Sequence, residues 1–461
     1  MLDIKLKHSP ELHPNFTPAA VWNRAFKQLT DAAEKTERLT LIIAQPNGVS
    51  TAFETTLLSH EGDHQALNIK HIERAVKTLL WQHGGNKITF NGNKTLLKTL
   101  AAIYSSDGAR AFDNEFLGKK IYGGPIEFVH DETATAANIS TNSIALGRNL
   151  QGCRIGFDLG GSDRKCAAVI DGEVVYSEEV EWSPYFESDP DYHIAGIQDS
   201  LKKAAAHLPR VDAIGGSAAG VYIDNEVKAG SLYRGIPDNL FQSRVQTMFL
   251  TLKREWGNIP FEVVNDGEVT ALAGAMSLGR NKVLGLSMGT SQAAGYVNAN
   301  GAITSWLNEL AFAPVDYAED APVDEWSGDS GCGVQYFSQQ AVARLAKVAG
   351  FEFEESMPLP ARLVAVQDAM QAGDARAEKI YATIGIYLGY TLAHYKSFYD
   401  FNTLLLLGRV TSGSGCDIMI DKANQVLADE FPEYADSIEI VTPDEKNKRH
   451  GQAIAAASLP K

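Results

Sequence analysis

Across residues 154–170 the chain reads as a short apolar strand, a glycine turn and a second apolar strand. Asp171-Gly172 turns it once more into Glu173-Val174-Val175-Tyr176, so the unit is a meander of strands. That order constrains the fold, because Walker and Rossmann phosphate loops run from a strand straight into a helix. Gly160 and Gly161 allow backbone N–H groups to approach a phosphate, Ser162 offers a hydroxyl and Lys165 a cation. Asp158 supplies a carboxylate able to hold a hydrated divalent metal. A glycine hairpin with a solvated polar tip fits the same residues equally well, and this stretch alone does not separate the two.

A second unit of the same kind follows at residues 283–297, with Ser287-Met288-Gly289-Thr290 at its turn. Two strand-turn-strand cradles in one chain are more specific than one and suggest paired lobes gripping a nucleotide's phosphate tail. Between them, residues 211–220 read as a strand entering a Gly/Ala-rich loop that allows close backbone approach to a ligand. Residues 240–256 read as one long amphipathic helix. Residues 261–268 form a strand ending in Asn265-Asp266, with a helix beginning at once. α/β enzymes place catalytic groups at such strand ends, yet an Asp there also caps helices, and taken alone the cap is favoured. Residues 404–408 read as a buried parallel strand entering Thr411-Ser412-Gly413-Ser414-Gly415, and residues 450–457 as a small-residue closing helix.

The first 150 residues carry their own α/β pattern. A helix opens at Pro18; strands fall at residues 39–44, 50–58 and 87–90; helices fall at 72–81 and 95–104. Residues 133–143 read as loop and linker. The order loosely echoes the meander after Arg154, so a degenerate copy of that lobe is one reading; an unrelated α/β module is the favoured one. The expected arrangement is a module packed on the rest, used for assembly or for shaping the mouth of the cleft. A formal net charge of −16 speaks against a nucleic-acid surface. No apolar run reaches membrane-spanning length, the N-terminus lacks a secretory core, and four scattered cysteines form no CxxC pair. A reducing cytoplasm is the expected location.

Over roughly residues 151–458 these motifs resemble the ROK family of sugar kinases and repressors. Asp158-Leu159-Gly160-Gly161-Ser162 is similar to the family's first phosphate motif, with Ser for Thr, and Ser287-Met288-Gly289-Thr290 to its second. Residues 215–220 resemble its sugar-side glycine loop without the proline, and Tyr233-Arg234-Gly235-Ile236-Pro237 its aromatic-to-proline stretch. Asn265-Asp266 resembles the pair that binds a sugar hydroxyl and supplies the base, and residues 407–415 fall where the adenosine-binding glycines are expected. The resemblance implies an α/β, two-lobed actin-like ATPase (ribonuclease H-like) fold with an additional N-terminal α/β domain. The expected division is residues 1–150, 151–280 and 281–461, with the closing helix returning to the first lobe.

It also implies ATP with Mg2+ as cofactor and phosphoryl transfer to a hydroxyl of a hexose or hexose derivative. Asp266 would be the catalytic base and Asp158 would hold Mg2+ through water. Asn265, Glu309, Gly216, Ser217 and Gln335 would bind the sugar. Gly160, Gly161, Ser162, Lys165, Gly289, Thr290, Gly408, Gly413 and Gly415 would bind the nucleotide. The family's zinc motif is broken: Asn308-Glu309-Leu310-Ala311-Phe312 lacks its His, and only Cys332 remains of the cysteine cluster, so no structural zinc is expected. A sugar-sensing regulator or a catalytically silent homologue is the alternative. The expected partners are ATP and a small sugar, with no nucleic acid and no membrane, and a homodimer is one open assembly.

Overall fold

The computed structural model describes residues 2–60, 64–140, 145–443 and 448–461, without the side chains of 448–450. Residues 141–143 of the expected linker and the His450 side chain therefore lie outside the described residues.

The N-terminal module comprises α1 (Ala19–Ala32), β1 (Thr36–Ala44), β2 (Ser50–Leu58), α2 (Gln65–His83), β3 (Lys87–Asn91), α3 (Lys94–Ile103) and β4 (Glu127–His130). Its sheet runs β2-β1-β3-β4. β1 is antiparallel to both β2 and β3, and β3 is parallel to β4. A π-helical segment, Asp113–Ile121, and β4 had no clear sequence signal.

The first lobe comprises β5 (Cys153–Leu159), β6 (Asp163–Ile170), β7 (Glu173–Glu181), α4 (Pro190–Ala205), β8 (Ala213–Ala218), a hairpin of β9 (Val221–Ile223) and β10 (Glu226–Ala229), α5 (Asp238–Leu240), α6 (Met248–Glu255), β11 (Phe261–Asn265) and α7 (Asp266–Leu278). Its sheet is ordered β11-β8-β5-β6-β7. β6 is antiparallel to β5 and β7, while β8 and β11 run parallel to β5. The single helix expected over residues 240–256 is broken. A π-helical turn at Phe241–Val245 separates α5 from α6, and the Val227 N–H donates to the Gln246 carbonyl, so the segment doubles as an edge for β10.

The second lobe repeats the scheme with β12 (Val283–Met288), β13 (Gln292–Val297), α8 (Gln339–Val348), α9 (Leu359–Gln371), α10 (Ala375–Tyr395), β14 (Thr403–Leu407), α11 (Gly415–Glu430), α12 (Pro432–Ala435) and β15 (Glu439–Val441). Its sheet runs β13-β12-β14-β15, with the β12–β13 pair antiparallel and β14 and β15 parallel to β12. The two lobes thus share one strand plan, an antiparallel pair with parallel strands on its other side, to which the first lobe adds β7. The N-terminal sheet does not share it, because β3 runs against β1. The module is no degenerate copy of the lobe.

α13 (Lys448–Ala457) crosses back onto the first lobe's sheet. Gly156 and Gly215 admit it: a Cβ on either would lie within 2 Å of the Ala453 or Ala456 carbonyl oxygen. The N-terminal module shares a core with the second lobe, where Trp22, Phe26, Leu41 and Trp81 pack in one cluster with Leu310, Phe312, Tyr336 and Tyr387. The first lobe keeps a separate core around Phe157, Phe249 and Phe261. No helix among the described residues is long and apolar enough to cross a membrane.

Candidate active site

The register of the first sheet assembles the carboxylates. β5, β8 and β11 run side by side, so Asp158 aligns with Ser217 and Leu159 with Ala218, which in turn aligns with Asn265. Asp158 and Asn265-Asp266 therefore meet at the carboxyl ends of parallel strands, one strand apart. Parallel α/β sheets open their ligand crevices at this end.

Asp158 is buried, and Ser217 Oγ donates to its Oδ1 at 2.5 Å. Burial raises the Asp158 carboxyl; the Ser217 bond and the Lys165 charge oppose that rise. Asp158 Oδ2 has no hydrogen-bond partner among the described residues. Lys165 pairs with Asp163 at 2.9 Å, and Ser162 Oγ also donates to Asp163, at 2.9 Å.

Asp266 does not cap its helix. Asn265 takes that position: its Oδ1 accepts the Gly267 N–H at 2.7 Å, and its Nδ2 donates to the Gly220 carbonyl at 2.7 Å. Asp266 is the first helical residue and makes only a weaker contact, 3.0 Å, to the same N–H. Burial, then the neighbouring Asp158 charge, pushes the Asp266 carboxyl up to about 6. Glu309 is pushed up to about 7, by burial first and the Asp266 charge second. Both keep some surface at the cleft floor, but protein on most sides withdraws water from them more than that exposure suggests. Asp158, Asp266 and Glu309 form one electrostatically linked row.

Glu309 is held from outside the two lobes. The N–H groups of Asn308 and Glu309 donate to the Gln82 and Trp81 carbonyls, at 2.8 and 2.9 Å, at the C-terminal end of α2. Those carbonyls are among the last four of the helix and lack helical partners. Gln45 Nε2 bridges the His83 and Ser305 carbonyls at 2.8 and 2.9 Å. Glu268, whose carboxyl burial pushes up to about 8, accepts from Asn308 Nδ2, while the Tyr399 hydroxyl donates to Asn308 Oδ1 at 2.6 Å. Sequence reasoning placed a helix over residues 72–81 but gave neither the end of α2 nor Glu268, Asn308 and Gln45 a part in the site. Their roles depend on tertiary contacts between segments far apart in the chain.

Several expected ligands have other tasks. Gly216 faces inward, where a Cβ would strike the Phe157 ring at 2.1 Å, and Ser217 is fully buried against Asp158. Neither is open to a sugar, because alternate residues of β8 serve the core and the neighbouring strand. Gln335 donates to Gln340 Oε1 at 2.6 Å. Gly415 lies under the Tyr381 ring, so its missing Cβ accommodates that ring.

The two glycine turns remain open at the strand ends. Gly160 N–H donates to the Asp163 carbonyl and Gly289 N–H to the Ser291 carbonyl, both at 2.9 Å, and Thr290 is exposed. Gly161 faces Tyr185, whose hydroxyl leaves no room for a Cβ. Gly408, at φ 95°, packs on the Met288 backbone just before the second turn, and Gly413 faces open space.

The loop of the broken zinc motif is held by charge. Lys77, fully buried, pairs with Asp113 at 2.8 Å and with Asp329; Arg110 pairs with Asp329 and, at 2.5 Å, with Glu73. Among the described residues no cluster of three or more His, Cys, Asp or Glu could hold a metal ion.

No family model matches the chain, and no curated protein matches it. Solved structures do share its fold. A ROK hexokinase from Thermus thermophilus is 18% identical with a TM-score of 0.52, over 66% of this chain and 96% of that one. A ROK family transcriptional regulator, a homologue of the E. coli MLC protein, is 19% identical with a TM-score of 0.53, over 67% of this chain and 79% of that one. Identities this low show the fold alone: the two-lobed α/β fold, with a further region beyond it.

Proposed function

We propose that this chain is an ATP-dependent carbohydrate kinase that transfers a phosphoryl group to a sugar hydroxyl. The observation that carries the reading is the release of Asp266 from capping by Asn265. A half-buried carboxyl, pushed up to about 6, is left at the strand end beside Asp158 and Glu309. A general base works best with a pKa close to the working pH.

In this reading Asp266 accepts the proton of the attacked hydroxyl, and Glu309 orients the ring by hydrogen-bonding a second hydroxyl. The turns at Gly160-Gly161 and Gly289-Thr290 cradle the phosphates through the N–H groups of Gly161 and Thr290, since those of Gly160 and Gly289 already donate within the turns. Asp158 suits a hydrated Mg2+, since it offers a hard oxygen, Oδ2, that no donor among the described residues occupies. Mg2+ with the nucleotide would neutralise charge on the transferring phosphoryl group. Ser217 fixes the Asp158 rotamer, and closure of the lobes would keep water from competing for the phosphoryl group.

A sugar-sensing regulator is the second reading, since one of the solved structures that share the fold is a transcriptional regulator. The retained carboxylate row and the mixed N-terminal sheet, unlike a helix-turn-helix, favour the enzyme. The test is release of ADP from ATP and Mg2+ against a panel of hexoses and hexose derivatives. Sugar-dependent ADP release supports the kinase; tight sugar binding without any turnover supports the regulator.

A further inference from the structure

Two cavities meet on the Glu309 side of the carboxylate row and differ in size. The smaller, about 270 Å3, is lined by Asn265, Glu268 and Glu309 together with Thr304 and Trp306. The larger, about 1380 Å3, lies between the N-terminal module, the β9–β10 hairpin and Trp326. Asn47, Tyr122, Ile223 and Asp224 line both, so one opens into the other. Pockets for ligands of drug size run roughly 300–1,000 Å3. The inner cavity lies below that range, as suits a single sugar ring, and the outer chamber lies above it.

The chamber's walls are chemically distinctive in an acidic protein. Lys119, Lys120, Lys228 and Arg234 face it against three carboxylates, Glu115, Asp224 and Asp238. Lys119 and Lys228 are already paired, with Glu115 at 2.7 Å and Glu226 at 2.6 Å. Lys120 and Arg234 have no carboxylate partner among the described residues and rest on rings instead. Lys120 lies 5.5 Å over Phe116, and Arg234 lies 4.2 Å over Tyr185 and 5.1 Å over Phe186. Phe116 in turn meets Trp326 edge-on at 5.0 Å, and Trp326 is 60% exposed. Unpaired cations beside exposed rings form a surface for a sugar ring bearing an anionic group.

We infer that the outer chamber is a second acceptor subsite, which takes the distal part of a saccharide larger than one hexose and carrying a phosphate or carboxylate there. Lys120 and Arg234 bind the anion, and Phe116 and Trp326 stack on the distal ring. The inference rests on the kinase reading for the inner ring, while the outer contacts involve none of the residues that reading uses.

The test measures binding by calorimetry without nucleotide, with the full chain and with K120A/R234A. The probes are a set of hexoses, hexose disaccharides, their 6′-phosphates and the matching uronic-acid disaccharides. At least one anionic disaccharide should bind about tenfold or more tighter than its neutral parent, and the double variant should bring the two within about twofold. The phosphate and uronate arms tell the two anions apart. Phosphorylation of any monosaccharide acceptor should be unchanged in the variant. The inference is overturned if no anionic disaccharide outbinds its neutral parent, or if its advantage survives K120A/R234A. Binding of the anionic probe without ADP release under any condition would sink the kinase reading and leave the subsite standing.

Discussion

The backbone N–H of Glu309 donates to the carbonyl of Trp81 at 2.9 Å, across 228 residues of chain. Through this bond the N-terminal module, whose sheet is separate from those of the two lobes, fixes a residue of the candidate site. Trp81 is fully buried, 4.3 Å from Phe312 ring to ring, and its Nε1 donates to Asp113 at 2.9 Å. The α2 terminus is therefore packed and hydrogen-bonded where Glu309 leans on it. The module thus helps to build the candidate site, by this bond as well as by packing.

Gln45→Ala tests that dependence. It removes the donor shared by the His83 and Ser305 carbonyls, and a buried group left unsatisfied costs about 1–3 kcal/mol. The melting temperature should fall, and KM for the sugar should rise more than kcat falls, because the Glu309 loop loosens while Asp266 stays put. A drop confined to kcat would show that the α2 terminus does not position the sugar.

Ser217→Ala tests the support of Asp158. The Ser217 bond holds the Asp158 carboxyl down against burial, so its loss raises that carboxyl further. A hydrogen bond to a charged group is worth about 1.5–3 kcal/mol, so the Mg2+ concentration for half-maximal activity should rise about tenfold or more. The rise should be larger at pH 6 than at pH 8, since protonation competes with the metal. An unchanged Mg2+ requirement at both pH values would remove Asp158 from the metal role.

Much of this arrangement was legible in the sequence. The two strand-turn-strand units announced themselves because a glycine turn between apolar strands has a local signature, and both lobes follow the strand plan they imply. Asn265-Asp266 was visible as a strand end meeting a helix, but which of the two capped the helix was not. Either side chain can accept from the second helical N–H, and the Gly220 carbonyl that holds Asn265 in place comes from a distant loop. Gly216 and Ser217 misled because a glycine that admits a neighbouring ring reads the same as one that admits a ligand. The π-helical turn at Phe241–Val245 was hidden because its residues keep helical composition. The α2–Glu309 link left no local trace, being made between backbone atoms.

Glu268 offers a test by pH. Its folded carboxyl is pushed up to about 8 by burial, against an ordinary value of about 4.3 in the unfolded chain. Between those values the folded state holds a proton that the unfolded state has released, so this group makes stability fall as pH rises through that window. Glu268→Gln removes the titration. The parent should lose stability relative to the variant from pH 5 to pH 8, by up to a few kcal/mol at about 1.4 kcal/mol per pH unit. Parallel pH–stability curves for the two proteins would show that Glu268 is not held neutral.

Asp266→Asn is the most direct measurement of the central claim. Asn265 does the capping, so the substitution should leave the fold intact, within about 0.5 kcal/mol or better. Nucleotide binding should stay near normal. An amide cannot accept the hydroxyl proton, so sugar-dependent ADP release should fall by roughly a hundred- to ten-thousand-fold. In the parent, kcat/KM should rise with pH through about 6, since the base must be unprotonated to act, and the variant should lack that rise. Turnover retained within about threefold of the parent on the same sugar would contradict the account, because general-base assistance of the usual size would then be absent.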